Sequence, residues 1–170
     1  MRIGFAKVDI TPRVGVPLAG FGPFLNRVSI GVRDRLWARA VAVEQAGGRA
    51  VIVSCDLIGI ASATTEAVRE RVRQTVGLEP AEVMIVCTHT HSGPNTKPEL
   101  IGWGAADPPY MALLPRRIAA AVEQAVTDLA DAELLHAEVP CEGIGLNREQ
   151  DRDAPPPGRG AARLVAPRQA

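Results

Sequence analysis

The sequence has no surplus of charge of either sign. Its 170 residues include 19 lysines and arginines and 19 aspartates and glutamates, so the formal net charge at pH 7 is zero. A protein that follows a nucleic acid needs a basic surplus to neutralise phosphates. The charge balance therefore argues against a nucleic-acid partner. A hydrophobic fraction of 46% and a charged fraction of 22% predict a globular domain with a core of useful size.

Long apolar runs are also missing. No run reaches the roughly 18 residues that a membrane-spanning helix requires. The chain opens with Met1-Arg2-Ile3-Gly4 and passes directly into a strand-like segment, without the long apolar stretch of a secretory signal peptide. We therefore expect no membrane span and a cytoplasmic location.

Two common motif types are absent. The three cysteines, Cys55, Cys87 and Cys141, are far apart and show no C-x-x-C spacing, so we expect structural thiols rather than disulfides or a zinc knuckle. Residues 11–34 are rich in glycine and proline but contain no G-x-G-x-x-G, which makes a phosphate cradle a weak interpretation. Such a segment can still bring its backbone close to a ligand.

The apolar periodicity predicts an α/β fold: a mixed sheet with a β-α-β unit and flanking helices. A polar glycine turn at 45–49 favours an antiparallel pair, and the segment 50–87 reads as strand, helix and parallel strand. Val83–Cys87 is apolar at every position, as expected of a strand buried on both faces. The predicted strands cover 3–10, 36–44, 50–58, 83–87 and 133–139, and the predicted helices cover 62–76 and 107–129.

Two of the three histidines, His89 and His91, follow Val83–Cys87 directly. On an extended backbone, residues i and i+2 project to the same side, so both imidazoles are expected to face one cavity at the carboxyl end of a strand. A neutral imidazole is a good zinc ligand. Histidine pairs of this spacing also occur as hydrogen-bonded surface residues, so the pair alone leaves both interpretations open.

Two known metal-site patterns do not match. A metallo-β-lactamase-like site continues H-x-H with x-D-H, whereas this chain continues with Ser92-Gly93. A TIM-barrel amidohydrolase carries H-x-H on its first strand, whereas three predicted strands precede it here.

The segment 88–94, THTHSGP, resembles the signature of the neutral/alkaline non-lysosomal ceramidase family, in its N-terminal catalytic domain. The resemblance covers about residues 3–148. We therefore predict a partial ceramidase-like domain over 1–148 and a disordered tail rich in proline and arginine over 149–170. Further similar stretches are Val8-Asp9-Ile10-Thr11-Pro12, Ala19-Gly20-Phe21-Gly22, Asp34-Arg35-Leu36-Trp37-Ala38-Arg39-Ala40, Val53-Ser54-Cys55-Asp56 and Gly145-Leu146-Asn147-Arg148.

The resemblance implies a zinc-dependent amide hydrolase that splits N-acylsphingosine into a fatty acid and sphingosine. By motif position, His89 matches a zinc ligand and His91 a histidine beside the metal that contacts substrate. Arg148 matches an arginine that binds the polar end of the substrate. Asp56, after the third predicted strand, would either orient an imidazole or act as an ordinary turn or capping residue.

The sequence also departs from the family pattern. The family's zinc site takes a second histidine, a glutamate and a tyrosine from further along a longer domain, and both His136 and Tyr110 come too early to match them. We expect a structural role for His136 and an incomplete part of a larger α/β domain, truncated or frame-shifted. The alternative is a non-catalytic ligand-binding or interaction domain that retains the first half of the fold and buries its sheet edge in a homo-oligomer.

Overall fold

A computed structural model describes residues 1–22, 26–99 and 104–140. Within these ranges a five-stranded sheet carries two α-helices. The strands are β1 Arg2–Asp9, β2 Trp37–Gln45, β3 Gly48–Cys55, β4 Val83–Cys87 and β5 Ala130–Asp131; the helices are α1 Ser62–Val76 and α2 Pro108–Thr127.

The strands lie in the order β4-β3-β2-β1-β5. β1 is antiparallel to β2 and β5, and β2 is antiparallel to β3. β4 runs parallel to β3, with α1 between them in sequence. The predicted mixed sheet with a β-α-β unit is therefore confirmed.

Local signals explain these elements. Ala46 and Gly47 both have positive φ, 49° and 80°, as a two-residue turn requires when it matches the twist of a hairpin. Gly77 ends α1 in the left-handed conformation, with φ 66°. The Asp107 side chain accepts a hydrogen bond from Tyr110 N at the start of α2, which satisfies one backbone donor of the first turn.

Both helices cover one face of the sheet. Val68 and Val72 of α1 and Leu114 and Ile118 of α2 are fully buried in this layer. Small residues on the strands let the helices approach closely: a Cβ atom on Gly4 would lie 2.1 Å from the carbonyl oxygen of Ala125 in α2. The further buried strand residues are Ala38, Ala40, Ala42, Val51, Val53 and Cys55.

The opposite face of β1 to β4, centred on Phe5, Val41, Ile52 and Met84, is called the open face here. Phe5 is 61% exposed, Ile52 51% and Met84 57%. The prediction that β4 is buried on both sides is therefore wrong for this face. Successive apolar residues of β4 point to opposite faces of the sheet, as the pleat requires. Within the described part of the chain, however, helices cover only one of these faces.

The region after α2 differs from the predicted strand at 133–139. β5 is limited to two residues, and residues 132–140 contain no strand. Leu134, Leu135 and Val139 are at least 71% exposed, so their apolar character does not reflect burial in a sheet. The chain divides into two units, Met1–Glu133 and Leu134–Ala170.

Three further predictions fall outside the described residues: the domain boundary at 148, the tail 149–170, and Cys141. No helix in the described ranges combines the length and apolar character needed to cross a membrane.

Candidate functional site at the histidine loop

The two imidazoles lie together just beyond β4. Their ring centroids are 5.0 Å apart and the ring planes are inclined by 69°. The backbone that brings them together is not extended as predicted, because His89 has φ 61°. Thr88 N donates to Cys55 O and His89 N to Leu57 O, both at 3.0 Å, so the chain follows the segment after β3 before it turns. We call residues 88–97 the histidine loop.

The orientation of His89 is set by a backbone carbonyl. Its Nδ1 lies 2.7 Å from Ile58 O. Because a carbonyl oxygen only accepts, Nδ1 carries the proton, and the lone pair of the neutral ring is on Nε2. This pattern, in which one ring nitrogen donates to a carbonyl or carboxylate, is typical of histidines that bind a metal through the other nitrogen.

Asp56 was predicted either to orient an imidazole or to act as a turn or capping residue, and it does not orient His89. Its Oδ2 accepts hydrogen bonds from Trp37 N at 3.0 Å and from Arg39 Nη1 at 2.7 Å. The carboxylate thus fastens the end of β3 to the start of β2, which agrees with the turn interpretation.

His91 packs against the glycine-rich segment. The Phe21 ring meets its imidazole edge to face, with centroids 5.3 Å apart. Gly20 has φ 91°, and a Cβ atom there would lie 2.5 Å from His91 Cβ. Only glycine fits this position without displacement. The glycine-rich segment was predicted to approach a ligand, and in the structure it approaches one of the two candidate site histidines.

Arg27 joins the two loops. Its Nη2 donates to Ala19 O at 2.8 Å, to Gly20 O at 3.3 Å and to His91 O at 3.0 Å. Its guanidinium also lies over the Phe21 ring, 5.0 Å from the centroid. Sequence reasoning missed this residue, because its partners are backbone carbonyls that no side-chain pattern reveals.

Two buried polar residues hold the rest of the histidine loop. Asn95 Nδ2 donates to Gly104 O at 2.6 Å, and its Oδ1 accepts from Lys97 N at 2.9 Å. Thr96 Oγ1 donates to Gly59 O at 2.5 Å. Both side chains are fully buried, so these hydrogen bonds replace lost hydration. In the sequence, the position of these two polar residues directly after Gly93-Pro94 was the only indication of their role.

A cavity of about 450 Å³ adjoins the histidine loop. This volume falls within the range of small-molecule sites. Thr90 and Ser92, which flank His91 in sequence, contribute to the wall, and Arg13 and Arg33 also line the cavity. The apolar part of the wall consists of Pro12, Leu18, Val28, Ile30, Val32, Leu36 and Pro94. Neither His89 nor His91 lines this cavity.

The other predicted residues lie elsewhere. Tyr110 was predicted to precede the second helix but lies in the first turn of α2, where it is buried and donates to Ile10 O at 2.6 Å; burial raises the pKa of its hydroxyl. His136 is exposed, 3.8 Å from Glu138, and outside any strand. Cys55 and Cys87 are free thiols, and burial raises the pKa of Cys55 to about 12. Arg148 lies outside the described residues.

The described residues supply part of a metal site at most. They contain no group of three or more histidine, cysteine, aspartate or glutamate side chains placed to hold one ion. The donors that do come together are the imidazoles of His89 and His91. Their chemistry suits zinc, and the orientation of His89 suits a ligand.

Fold and loop together define an α/β protein whose candidate site stands at the carboxyl end of a sheet strand. The family model for the N-terminal domain of neutral/alkaline non-lysosomal ceramidase matches residues 1–152. The chain therefore belongs to this family.

Particular relatives agree. The neutral ceramidase of Pseudomonas aeruginosa is 37% identical over 98 residues, which cover 55% of this chain and 14% of that protein. The crystal structure of neutral ceramidase from Pseudomonas aeruginosa matches with a TM-score of 0.65 and 30% identity, over 75% of this chain and 22% of that chain. A structure described as ceramidase complexed with C2 matches with a TM-score of 0.66 and 29% identity, over 75% and 21%. The chain thus spans less than a quarter of these relatives.

Proposed function

We propose that the chain carries the amino-terminal part of the catalytic site of a zinc-dependent amide hydrolase, one that cleaves an N-acyl amide such as an N-acylsphingosine. The observation that carries the proposal is the oriented imidazole of His89 beside His91, in a chain of the ceramidase family.

The two histidines have different roles in this proposal. His89 binds the metal through Nε2, because Nδ1 is committed to Ile58 O. His91 contacts the substrate, and a protonated ring nitrogen donates to the oxygen that gains negative charge during amide cleavage. Arg148 binds the polar end of the substrate, a role that rests on the family resemblance. When bound, zinc would lower the pKa of its water to roughly 7 and polarise the amide carbonyl.

The apolar cavity supports the substrate class. An N-acyl amide with a hydrocarbon chain needs aliphatic walls for that chain, and Leu18, Val28 and Leu36 provide such walls beside Thr90 and Ser92. Neither His89 nor His91 lines this cavity, so the cavity supports the apolar part of the ligand and not the position of the reacting group. Burial of each methylene contributes about 0.8 kcal/mol, so chain length should strengthen binding until the cavity is filled.

A catalytic zinc generally has three protein ligands. In this proposal the ligands beyond His89 come from outside the described residues, either from this polypeptide or from another chain. The alternative function is a non-catalytic domain that binds an apolar ligand in the cavity beside the histidine loop or acts as an interaction domain.

The proposal is tested by the zinc content of the purified chain after dialysis, measured by elemental analysis. We expect one zinc per chain in the unmodified protein, loss of that zinc in His89→Ala, and retention in His91→Ala. The matched control is His136→Ala, which removes an exposed imidazole and should leave the zinc in place.

Activity separates the two histidines further. With a fluorogenic N-acyl amide, His91→Ala should lower kcat/KM by about 100-fold while zinc content is unchanged, as expected for loss of a donor to the oxyanion. Equal loss of zinc from His89→Ala and His91→Ala would contradict the division of roles. An unmodified chain without zinc above the level of His89→Ala would show that this chain alone does not assemble the site, and it would indicate either an incomplete enzyme or the alternative, non-catalytic function.

A further inference from the structure

We propose that Arg27 is a positioning residue for His91. Its guanidinium occupies a socket of three backbone carbonyl oxygens and holds His91 both at its main chain and at its ring. The effect on the reaction rests on the proposed function, in which His91 contacts the substrate. The effect on geometry is measurable without zinc or substrate.

The carbonyl socket is formed by the oxygens of Ala19, Gly20 and His91. These three oxygens lie 2.8, 3.3 and 3.0 Å from Arg27 Nη2, in that order. Carbonyl oxygens only accept hydrogen bonds and carry partial negative charge, so three of them that converge on one point need a donor in common. A charged donor makes a stronger hydrogen bond than a neutral one. We therefore expect the socket to join the glycine-rich segment to the histidine loop only while it holds a cation.

A second contact of Arg27 reaches the His91 ring through Phe21. The guanidinium lies over the Phe21 ring, 5.0 Å from its centroid, where the negative face of the ring attracts a cation. The same ring meets the His91 imidazole edge to face, with centroids 5.3 Å apart. Arg27 thus acts on the His91 carbonyl directly and on the imidazole through one aromatic ring.

The backbone of the glycine-rich segment needs such support. Phe21 has φ 54°, a left-handed conformation that is unfavourable for a bulky residue. A conformation of this kind persists where surrounding contacts enforce it, and Arg27 contacts both Gly20 O and the Phe21 ring. Loss of these contacts should let Phe21 relax and carry Gly20 away from His91 Cβ.

One donor of Arg27 shows which of its atoms matter. The Nε atom is buried and finds no hydrogen-bond partner within the described ranges of the chain. The contribution of Arg27 therefore comes from Nη2 and from the guanidinium plane over Phe21. A free guanidinium ion offers the same two features, which makes chemical rescue a direct test.

The first test removes the side chain and then supplies its guanidinium group in solution. In Arg27→Ala of the complete chain, the imidazole signals of His91 in ¹H–¹⁵N spectra should shift strongly, while those of the exposed His136 stay in place. Guanidinium chloride below denaturing concentrations should move the His91 signals back toward their original positions. Tetramethylammonium chloride at the same concentration should not, because this ion has a charge but no hydrogen-bond donor.

The matched control is Arg116→Ala, which removes an exposed arginine from α2 and should leave the His91 signals in place. Unmoved His91 signals in Arg27→Ala would overturn the proposal. A shift that guanidinium does not reverse, or that tetramethylammonium reverses equally, would overturn it as well.

A second variant covers the case in which Arg27→Ala does not fold, as far-UV circular dichroism would reveal. Arg27→Gln keeps an amide donor without the positive charge, and the His91 signals should shift in it too. If they stay in place in a folded Arg27→Gln, a cation in the socket is not required and the proposal fails.

The second test measures catalysis by the zinc-loaded protein. With the fluorogenic N-acyl amide, Arg27→Ala should lower kcat by about 10–100-fold at unchanged zinc content, as expected when a donor to the oxyanion is displaced. KM should change less than kcat, and guanidinium should recover part of the lost kcat. An effect on KM alone, or a loss of zinc, would contradict a role that acts through His91.

The two tests keep the two proposals apart. If the unmodified chain holds no zinc and cleaves no amide, the proposed function is not supported for this chain alone, and the spectra still decide whether Arg27 positions His91. If the unmodified chain is active but Arg27→Ala changes neither kcat nor the His91 signals, the positioning role of Arg27 fails and the proposed function stands.

Discussion

Two regions of the molecule are held together by different forces. We call the sheet and its two helices the body, and we call the histidine loop 88–97 with the neighbouring glycine-rich segment 11–34 the histidine end. In the body, fully buried side chains such as Leu114, Ile118 and Val53 fill the layer between helices and sheet. At the histidine end, hydrogen bonds from Arg27, Asn95 and Thr96 to backbone carbonyls accompany the packing of His91 against Phe21 and Gly20. The buried side chains of the body thus supply most of the folding stability, whereas the hydrogen bonds at the histidine end set the positions of the two imidazoles.

This difference teaches how the two regions should respond to substitution. Substitutions that disturb packing in the body should lower the free energy of unfolding, because the close-packed layer relaxes only partially. Substitutions at the histidine end should displace the two imidazoles and lower the free energy of unfolding by a smaller amount. The following predictions test this separation, starting with the largest expected effect.

Gly4→Ala should destabilise the body most. The new Cβ atom would lie 2.1 Å from Ala125 O and 2.8 Å from Leu129 N, both backbone atoms, so α2 must shift away from β1. We expect a loss of about 3 kcal/mol in the free energy of unfolding, at the upper end of overpacking costs. Urea unfolding followed by circular dichroism measures it.

Gly48→Ala is the control for this change, since it also places a methyl group on a strand glycine. Its nearest contact is Gln45 O at an ordinary 3.6 Å, so the free energy of unfolding should change by less than about 1 kcal/mol. Equal effects of Gly4→Ala and Gly48→Ala would show that the approach of α2 to β1 is not the sensitive feature.

Gly20→Ala should disturb the histidine end more than the body. The methyl group would meet His91 Cβ at 2.5 Å, and alanine is disfavoured at φ 91°. We expect a stability loss of about 1–2 kcal/mol from backbone strain, together with a displaced His91 ring. The imidazole signals in ¹H–¹⁵N spectra measure the displacement.

The signals of His91 should shift strongly in this variant, and those of His136 should remain in place. Gly22→Ala supplies the control, because a Cβ atom at Gly22 has no neighbour within 4 Å. If His91 signals move as much in Gly22→Ala as in Gly20→Ala, the close approach of Gly20 is not what positions the imidazole.

Asp9, at the junction of the two regions, should give the smallest effect. Hydrogen bonds from Thr11, and the nearby Arg35 guanidinium, lower the pKa of its carboxyl from 3.8 to about 2. The unfolded chain therefore takes up this proton at higher pH than the folded chain, so the stabilisation present above pH 4 is lost as the pH falls toward 2. Asp9→Asn should flatten this part of the curve of unfolding free energy against pH. An unchanged slope between pH 4 and 2 would contradict the role of Asp9.

Periodicity predicted the body well. The spacing of apolar residues located α1 at Ser62–Val76 without error, and the glycine turn predicted the antiparallel pairing of β2 and β3. These features depend on neighbours in sequence, which the pattern records directly. The predicted strand at 133–139 was wrong, because a short apolar run does not reveal whether a partner covers it.

At the histidine end, the sequence predicted that His89 and His91 lie close together, but it did not predict the backbone geometry that brings them together. The spacing of His89 and His91 indicated that both imidazoles belong to one site, and they do lie 5.0 Å apart. The extended backbone assumed for them was wrong, and the contribution of Arg27 was missed. Carbonyl partners leave no trace in a side-chain pattern, because every residue has a carbonyl.

The sequence by itself determined the class of fold, the family and the proximity of His89 to His91, since these depend on periodicity and on a contiguous motif. Only the tertiary structure decided that Ile58 O orients His89, that Gly20 and Arg27 position His91, and that one apolar face of the sheet is covered while the other is open. The physical reason is that these features join backbone atoms and strand faces far apart in sequence, and packing alone brings them together.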